Sequence, residues 1–90
     1  MTLPASSITA CIKSNDSLQE YFFAEGCFIM ELSNSTDDPE VSIARARLEP
    51  GKTTRWHYLR GTAERYVVLH GAGLVEVDEM PAQHVSSADV

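Results

Sequence analysis

Two side chains able to do acid–base or metal chemistry, His57 and Glu64, lie seven positions apart in the second half of the chain. An imidazole can bind a metal, exchange a proton near neutral pH, or make a hydrogen bond inside a core. For His57 we rank the lining of a ligand pocket first and metal ligation second. Glu64 has two interpretations of similar weight, a catalytic carboxylate or a structural partner of Arg47, Arg55 or Arg65.

Arg55 and several aromatic residues surround His57 in the sequence. On an extended chain Arg55 shares a face with His57, so it could hold a carboxylate or phosphate, although it could equally reach solvent. Trp56, Tyr58 and Tyr66 could stack on a ligand, but cores and dimer faces use such rings more often. With side chains alternating along a strand, position 59 shares the face of His57, and Glu64 on the next strand can face them, so the predicted ligand pocket comprises Arg55, His57, Leu59, Glu64 and Tyr66.

The intervals between Gly51, His57, Glu64 and Gly71 form a recognisable motif. This segment resembles the first motif of the cupins, in which a Gly is followed by His-x-His, a Glu and a closing Gly at these spacings. The resemblance implies an all-β fold, the cupin double-stranded β-helix or jelly-roll barrel. In metal-binding cupins, it further implies, the two His, the Glu and a later His hold Mn, Fe, Ni, Cu or Zn.

The sequence departs from this motif at Leu59, which occupies the place of the second His. Leucine has no lone pair, and the second cupin motif, expected from about Ala88, is missing before Val90. Two ligands rarely hold a transition metal, because stable sites usually offer three or four. We therefore expect no bound metal cofactor; if one of these divalent metals binds, His57 and Glu64 are its candidate ligands.

The elements that position these residues are predicted to be short strands. Apolar runs within 21–32 flank Glu25-Gly26 and predict a hairpin, and 33–40 is rich in turn formers and predicts a loop. VSIARARL (41–48) alternates, with Arg45 and Arg47 on one face, where they meet the acidic loop or form an anion-binding rim. Three further strands are predicted at TTRWHYL (53–59), ERYVVLH (64–70) and GLVEV (73–77).

These elements predict an N-terminal arm at 1–17 and one barrel domain at 18–90. Half of the strands of a cupin barrel are missing, which would leave unpaired edges. We expect either a fragment of a longer protein or, close behind, a homodimer that pairs through β-strands.

Composition narrows the partners and the compartment. The chain has a net charge of −6 with seven scattered basic residues, so nucleic acid is not expected to bind. No basic stretch precedes an apolar run at the start, and no segment has the roughly 20 apolar residues of a membrane span, so we predict a cytoplasmic protein without a membrane partner. Cys11 and Cys27 are expected to be free thiols.

Three functions remain open from the sequence. The first is a cupin barrel that binds an unidentified small molecule without the full metal-ligand set. The second is a metal-dependent enzyme, a dioxygenase or a sugar isomerase or epimerase, that uses His57 and Glu64. The third is a purely structural or regulatory module. The sequence leaves the question of enzymatic activity unanswered, because fold does not imply function.

Overall fold

The computed structural model of the chain describes residues 10–16 and 18–90. Within that part all regular structure is β-strand, in two small antiparallel sheets, and neither a helix nor a closed barrel is formed. The all-β prediction is confirmed at this level. Of the predicted arm, 1–9 and Ser17 lie outside the described residues, and 10–16 contain no strand.

The first sheet has three strands in the order β1 (Tyr21–Phe23), β2 (Cys27–Ser35) and β3 (Asp38–Arg47). β1 and β2 form the predicted hairpin, and its turn ends at Gly26, whose amide donates to the Phe23 carbonyl at 2.9 Å. Gly26 has a φ of +100°, a conformation that side chains with a Cβ rarely adopt. The expectation of a tight turn at Glu25-Gly26 is therefore confirmed.

The prediction of a loop at 33–40 is wrong, because β2 and β3 continue into it and leave a turn at 36–37. Ser35 pairs with Asp38, and the register shifts on either side of Ser33 show β-bulges in the ladder. Polar residues are accepted there because the ladder needs only their backbone groups. Pro39 is tolerated because β3 is an edge strand of this sheet.

The alternation along β3 is confirmed by its register against β2. Arg47 lies opposite Phe28, Arg45 lies opposite Met30, and Ala46 lies opposite Ile29. Directly opposed residues of an antiparallel pair share a face of the sheet. Arg45 and Arg47 thus lie on one face, and Ala46 lies on the other.

The strands predicted at 53–59 and 64–70 are not formed, since no residue from 48 to 71 belongs to a strand. β-branched and aromatic residues favour an extended chain, but a strand also requires a neighbour for its backbone groups. Here the inter-segment backbone bonds are isolated ones, such as Arg55 N to Glu25 O at 2.8 Å and Val68 N to Asp89 O at 2.9 Å. These isolated hydrogen bonds connect the segments but do not form a ladder of paired strands.

The second sheet is a two-stranded hairpin of β4 (Ala72–Val75) and β5 (Gln83–Ser86). β4 starts one residue before the strand predicted at 73–77 and ends two residues before its end. The chain divides into two compact units at His57 and Tyr58, so the boundary falls inside the range predicted as one barrel domain.

Buried apolar side chains are scarce. Among the residues that the structure describes, only Cys27 is buried, at 4% exposure. In the same residues, no helix has the length and apolar character needed to cross a bilayer.

Candidate functional site

The ring of His57 is held between two oxygen atoms. Its Nδ1 lies 2.7 Å from the backbone carbonyl oxygen of Arg55, and its Nε2 lies 3.2 Å from Oε2 of Glu25. The side chains of His57 and Glu25 are 24% and 28% exposed, so both are reachable from solvent while partly shielded by the protein. These two residues form a histidine–carboxylate pair.

The roles of the two ring nitrogens follow from their partners. A carbonyl oxygen only accepts hydrogen bonds, so Nδ1 of His57 carries a hydrogen and donates it to Arg55. Nε2 faces the Glu25 carboxylate, which also only accepts when it is ionised. The doubly protonated imidazolium satisfies both contacts at once, and the neutral ring satisfies the first and leaves a lone pair facing Glu25.

Local backbone contacts explain why His57 reaches Glu25. The amide of Arg55 donates to the carbonyl of Glu25 at 2.8 Å, which ties the chain after Gly51 to the β1–β2 turn. At Gly26 a Cβ would lie 3.4 Å from the Thr53 carbonyl oxygen, so the two backbones pass close together. A glycine is favoured there by its φ of +100°, whereas the 3.4 Å approach alone would be an ordinary contact for a Cβ.

A small groove, which we call the aromatic groove, opens at the same end of the first sheet. It has a volume of about 270 Å³ and is lined by Phe22 and Phe28, the backbone near Gly26 and the segment 49–53. The two rings contact edge to face at 5.2 Å, with an interplanar angle of 71°. Lys52 and Glu49 contribute opposite charges to its walls.

Beside the aromatic groove, Glu20 binds two arginines of β3. The Nε of Arg47 donates to both carboxylate oxygens at 3.1 Å, and its Nη2 donates to Oε1 at 2.7 Å, while Arg45 approaches Oε2 at 3.5 Å. The hydrogen bonds from Arg47 lower the pKa of Glu20, and desolvation opposes this only in part. The guanidinium of Arg47 also lies 4.3 Å from the centre of the Phe28 ring, in cation–π geometry.

Arg45 and Arg47 both pair with Glu20, just before β1, and not with the acidic residues of the loop predicted at 33–40. The alternative of an anion-binding rim stays a prediction. Arg47, one of the three arginines predicted as possible partners of Glu64, pairs with Glu20 instead.

Sequence reasoning missed both Glu20 and Glu25. Glu25 was missed because it was interpreted only as a turn residue. The face shared by Glu20, Phe22, Phe28 and Arg47 becomes visible only once the register is known.

Cys27 directly follows the same turn, and burial of its thiol, followed by the charge of Glu25, raises its pKa. It therefore stays protonated and behaves as a small apolar side chain. Cys11 is exposed, and both cysteines are free, as expected.

The five residues predicted to line one pocket fall in two different units. Arg55 and His57 belong to the first, and Leu59, Glu64 and Tyr66 belong to the second. The prediction that these five residues share one face of neighbouring strands is wrong, because none of the five lies in a strand. Whether His57 and Glu64 face a common cavity stays a prediction. Leu59 and Tyr66 are 52% and 54% exposed.

Among the described residues, no group of three or more His, Cys, Asp and Glu side chains is placed to hold a metal ion. The comparison of the chain with protein-family models, curated proteins and solved structures gives no match.

Proposed function

We propose that this chain is a small cupin-type protein that binds a small molecule beside the His57–Glu25 pair, without a full set of metal ligands. The observation that carries the proposal is the fixed ring of His57, which has one partner on each nitrogen. A histidine held in this way presents a defined orientation to a ligand. The spacing of Gly51, His57, Glu64 and Gly71 supports the family, and a closed barrel and a β-mediated homodimer in the cytoplasm belong to the same proposal.

The aromatic groove supplies the apolar half of such a site. Glu25 immediately precedes Gly26, so the histidine–carboxylate pair is adjacent in sequence to a wall of the groove. Ligand sites in proteins typically combine apolar and aromatic walls with a few polar groups that fix orientation. At about 270 Å³ the groove suits a single ring with one charged or polar substituent.

The sign of the ligand charge is proposed from the cationic group at the groove. Lys52 lines the aromatic groove beside Glu49 and offers a charged donor there. A carboxylate on the ligand then gains charge-assisted hydrogen bonds that an amine does not. We therefore propose a small aromatic or cyclic carboxylate as the ligand class.

The test is an NMR titration of the whole chain with phenylacetate and with phenethylamine, which share a ring and carry opposite charges. We expect phenylacetate to shift the amides of Gly26 and Thr53 and the ring signals of His57. Phe28→Leu should weaken this binding by about tenfold through loss of ring contact. Phe23→Leu is the matched control, since its ring contacts Tyr21 and its partner across the strands is Cys27. If neither compound shifts these signals, the proposal fails.

A metal-dependent enzyme is the second candidate, favoured by one distance. Two ligands about 2.1 Å from a tetrahedral zinc ion lie about 3.4 Å apart, close to the 3.2 Å between Nε2 of His57 and Oε2 of Glu25. The Nδ1 hydrogen bond to a carbonyl is also the usual second contact of a ligating histidine. However, two donors do not fit a stable site, and Leu59 adds none.

Metal analysis separates the two candidates. Purified protein should contain manganese, iron, nickel, copper and zinc well below one atom per chain. Stoichiometric metal that is lost in both His57→Ala and Glu25→Gln would overturn the first proposal in favour of the second. Loss in Glu64→Gln as well would place Glu64 in the same ligand set.

A further inference from the structure

A second groove, which we call the polar groove, lies along β2 in the first unit. It has a volume of about 410 Å³ and is walled on one side by the segment before β1, including Lys13 and Gln19, and on the other by the middle of β2, including Glu31 and Asn34. Tyr21 of β1 also lines it. Tyr21 pairs with Ile29, whereas Phe22 pairs with Phe28, so the tyrosine and the rings of the aromatic groove occupy opposite faces of the sheet.

The lining of the polar groove combines one ring with planar polar groups. Tyr21 is 45% exposed and its ring is contacted edge on by Phe23 at 6.3 Å, which holds it in place. Glu31 provides a carboxylate, and Gln19 and Asn34 provide amides that both donate and accept. A ring beside groups that can each make two hydrogen bonds suits a ligand with CH faces and several hydroxyls.

The charges of the polar groove favour a neutral ligand. Lys13 and Glu31 are its two charged lining residues and cancel in sign. The ammonium group of Lys13 already donates to the hydroxyl of Ser35 at 2.6 Å. The hydrogen bond from Ser35 lowers the pKa of Asp37, and the charge of Lys13 makes a smaller contribution in the same direction. Within the described residues the side chain of Glu31 makes no ion pair or hydrogen bond, so its carboxylate can accept from ligand hydroxyls.

We propose that the polar groove binds a neutral saccharide or cyclic polyol, with the sugar ring against Tyr21 and its hydroxyls bonded to Glu31, Asn34 and Gln19. The groove lies within the 300 to 1,000 Å³ range of small-molecule sites. Its openness to solvent suits a weak and rapidly exchanging ligand. This site is independent of the aromatic groove and of His57, so either proposal can fail alone.

The probes are the methyl glycosides of glucose, mannose and galactose, added separately to the whole chain at millimolar concentrations and followed by NMR. We expect at least one glycoside to shift the amides of Gln19, Glu31 and Asn34. Glu31→Gln should weaken binding by about tenfold, since a charge-assisted hydrogen bond becomes a neutral one. Tyr21→Phe keeps the stacking ring and should bind as the parent does, whereas Tyr21→Ala should not bind detectably.

Glu40→Gln is the matched control for charge, because Glu40 is exposed on β3 and does not line the groove. It should leave the affinity unchanged. The proposal is overturned if none of the glycosides shifts these amides, or if tetramethylammonium shifts them and the glycosides do not, which would indicate a site for cations. Equal binding by the parent and Glu31→Gln would also overturn it, because the hydroxyls would then not bond to that carboxylate.

Discussion

The first sheet and the β4–β5 hairpin are both small antiparallel structures, yet they are held together differently. Phe28, in the middle strand of the first sheet, contacts the ring of Phe22 at 5.2 Å and stacks against the guanidinium of Arg47. Both carboxylate oxygens of Glu20 accept hydrogen bonds from Arg47. In β4 the side chain of Leu74 is 63% exposed, and the hairpin is closed by backbone pairing from Ala72–Ser86 to Val75–Gln83. Side-chain contacts therefore specify the first sheet, and backbone geometry specifies the second.

This difference also separates the grooves from the rest of the chain. Both grooves and the His57–Glu25 pair lie in the first unit, where turns and cross-strand contacts fix the side chains that line them. Rigid elements position ligand-binding side chains better than irregular segments do. If side-chain contacts define the first sheet, substitutions there should cost more than matched substitutions in the second.

The largest effect is expected at Gly26. Gly26→Ala adds a Cβ at a φ of +100° and 3.4 Å from the Thr53 carbonyl oxygen, so we expect the free energy of unfolding to fall by about 1 to 3 kcal/mol. Gly73→Ala in β4 is the control, because nothing lies within 4 Å of its added Cβ, and it should change stability by less than about 0.5 kcal/mol. Urea unfolding followed by circular dichroism measures both. Equal losses would contradict the role given to the β1–β2 turn.

A smaller loss is expected at Phe28. Phe28→Ala removes the edge-to-face contact with Phe22 and the stacking of Arg47, and together these should cost about 1 to 2 kcal/mol. Leu74→Ala, the corresponding change in the second sheet, should cost less than about 0.5 kcal/mol because the side chain is mostly exposed. The same urea measurements apply. A greater cost at Leu74 than at Phe28 would show that the second sheet also depends on side-chain contacts.

A stabilising change is expected at the end of the second unit. Ala88 has a φ of +74°, and its amide donates to the Val68 carbonyl at 2.8 Å. Ala88→Gly should relieve this conformation and raise the free energy of unfolding by about 0.5 to 1 kcal/mol, less than a full left-handed penalty because glycine also loses more freedom on folding. Ala72→Gly, at the start of β4 where φ is not positive, should destabilise instead. A destabilising Ala88→Gly would contradict the account.

The sequence predicted the elements whose partners lie next to them along the chain. The β1–β2 hairpin, with its Glu25-Gly26 turn, and the alternation at Arg45 and Arg47 could be recognised because short-range pattern and local turn chemistry agree there. The strands predicted at 53–59 and 64–70 failed because the same residue types favour an extended chain whether or not a neighbour is present. Propensity carries no information about which backbone will lie alongside.

The candidate site could be predicted only in part for the same reason. His57 was identified from its type and spacing, but its partner Glu25 lies 32 positions earlier, and the contact depends on how the segment after Gly51 returns to the hairpin turn. Glu20 was missed because its partners are on β3, two strands away in the sheet. Contacts of this kind are fixed by register, which a single sequence does not contain.

The smallest effect is a dependence on pH that only the first sheet should show. Arg47 lowers the pKa of Glu20 below the ordinary value of 4.5, so the folded chain binds that proton less readily than the unfolded chain does. The stabilisation is then fully present above pH 4.5 and is lost as the pH falls below it towards the folded pKa. Because Glu20 lies at the surface, the effect should be small and should weaken further in salt.

Urea midpoints of the parent and Glu20→Gln should differ at pH 7 and converge towards pH 3, whereas Glu76→Gln, just after β4, should follow the parent throughout. If the gap for Glu20→Gln did not narrow as the pH falls from 7 to 3, the effect of Glu20 on stability would come from packing rather than from charge.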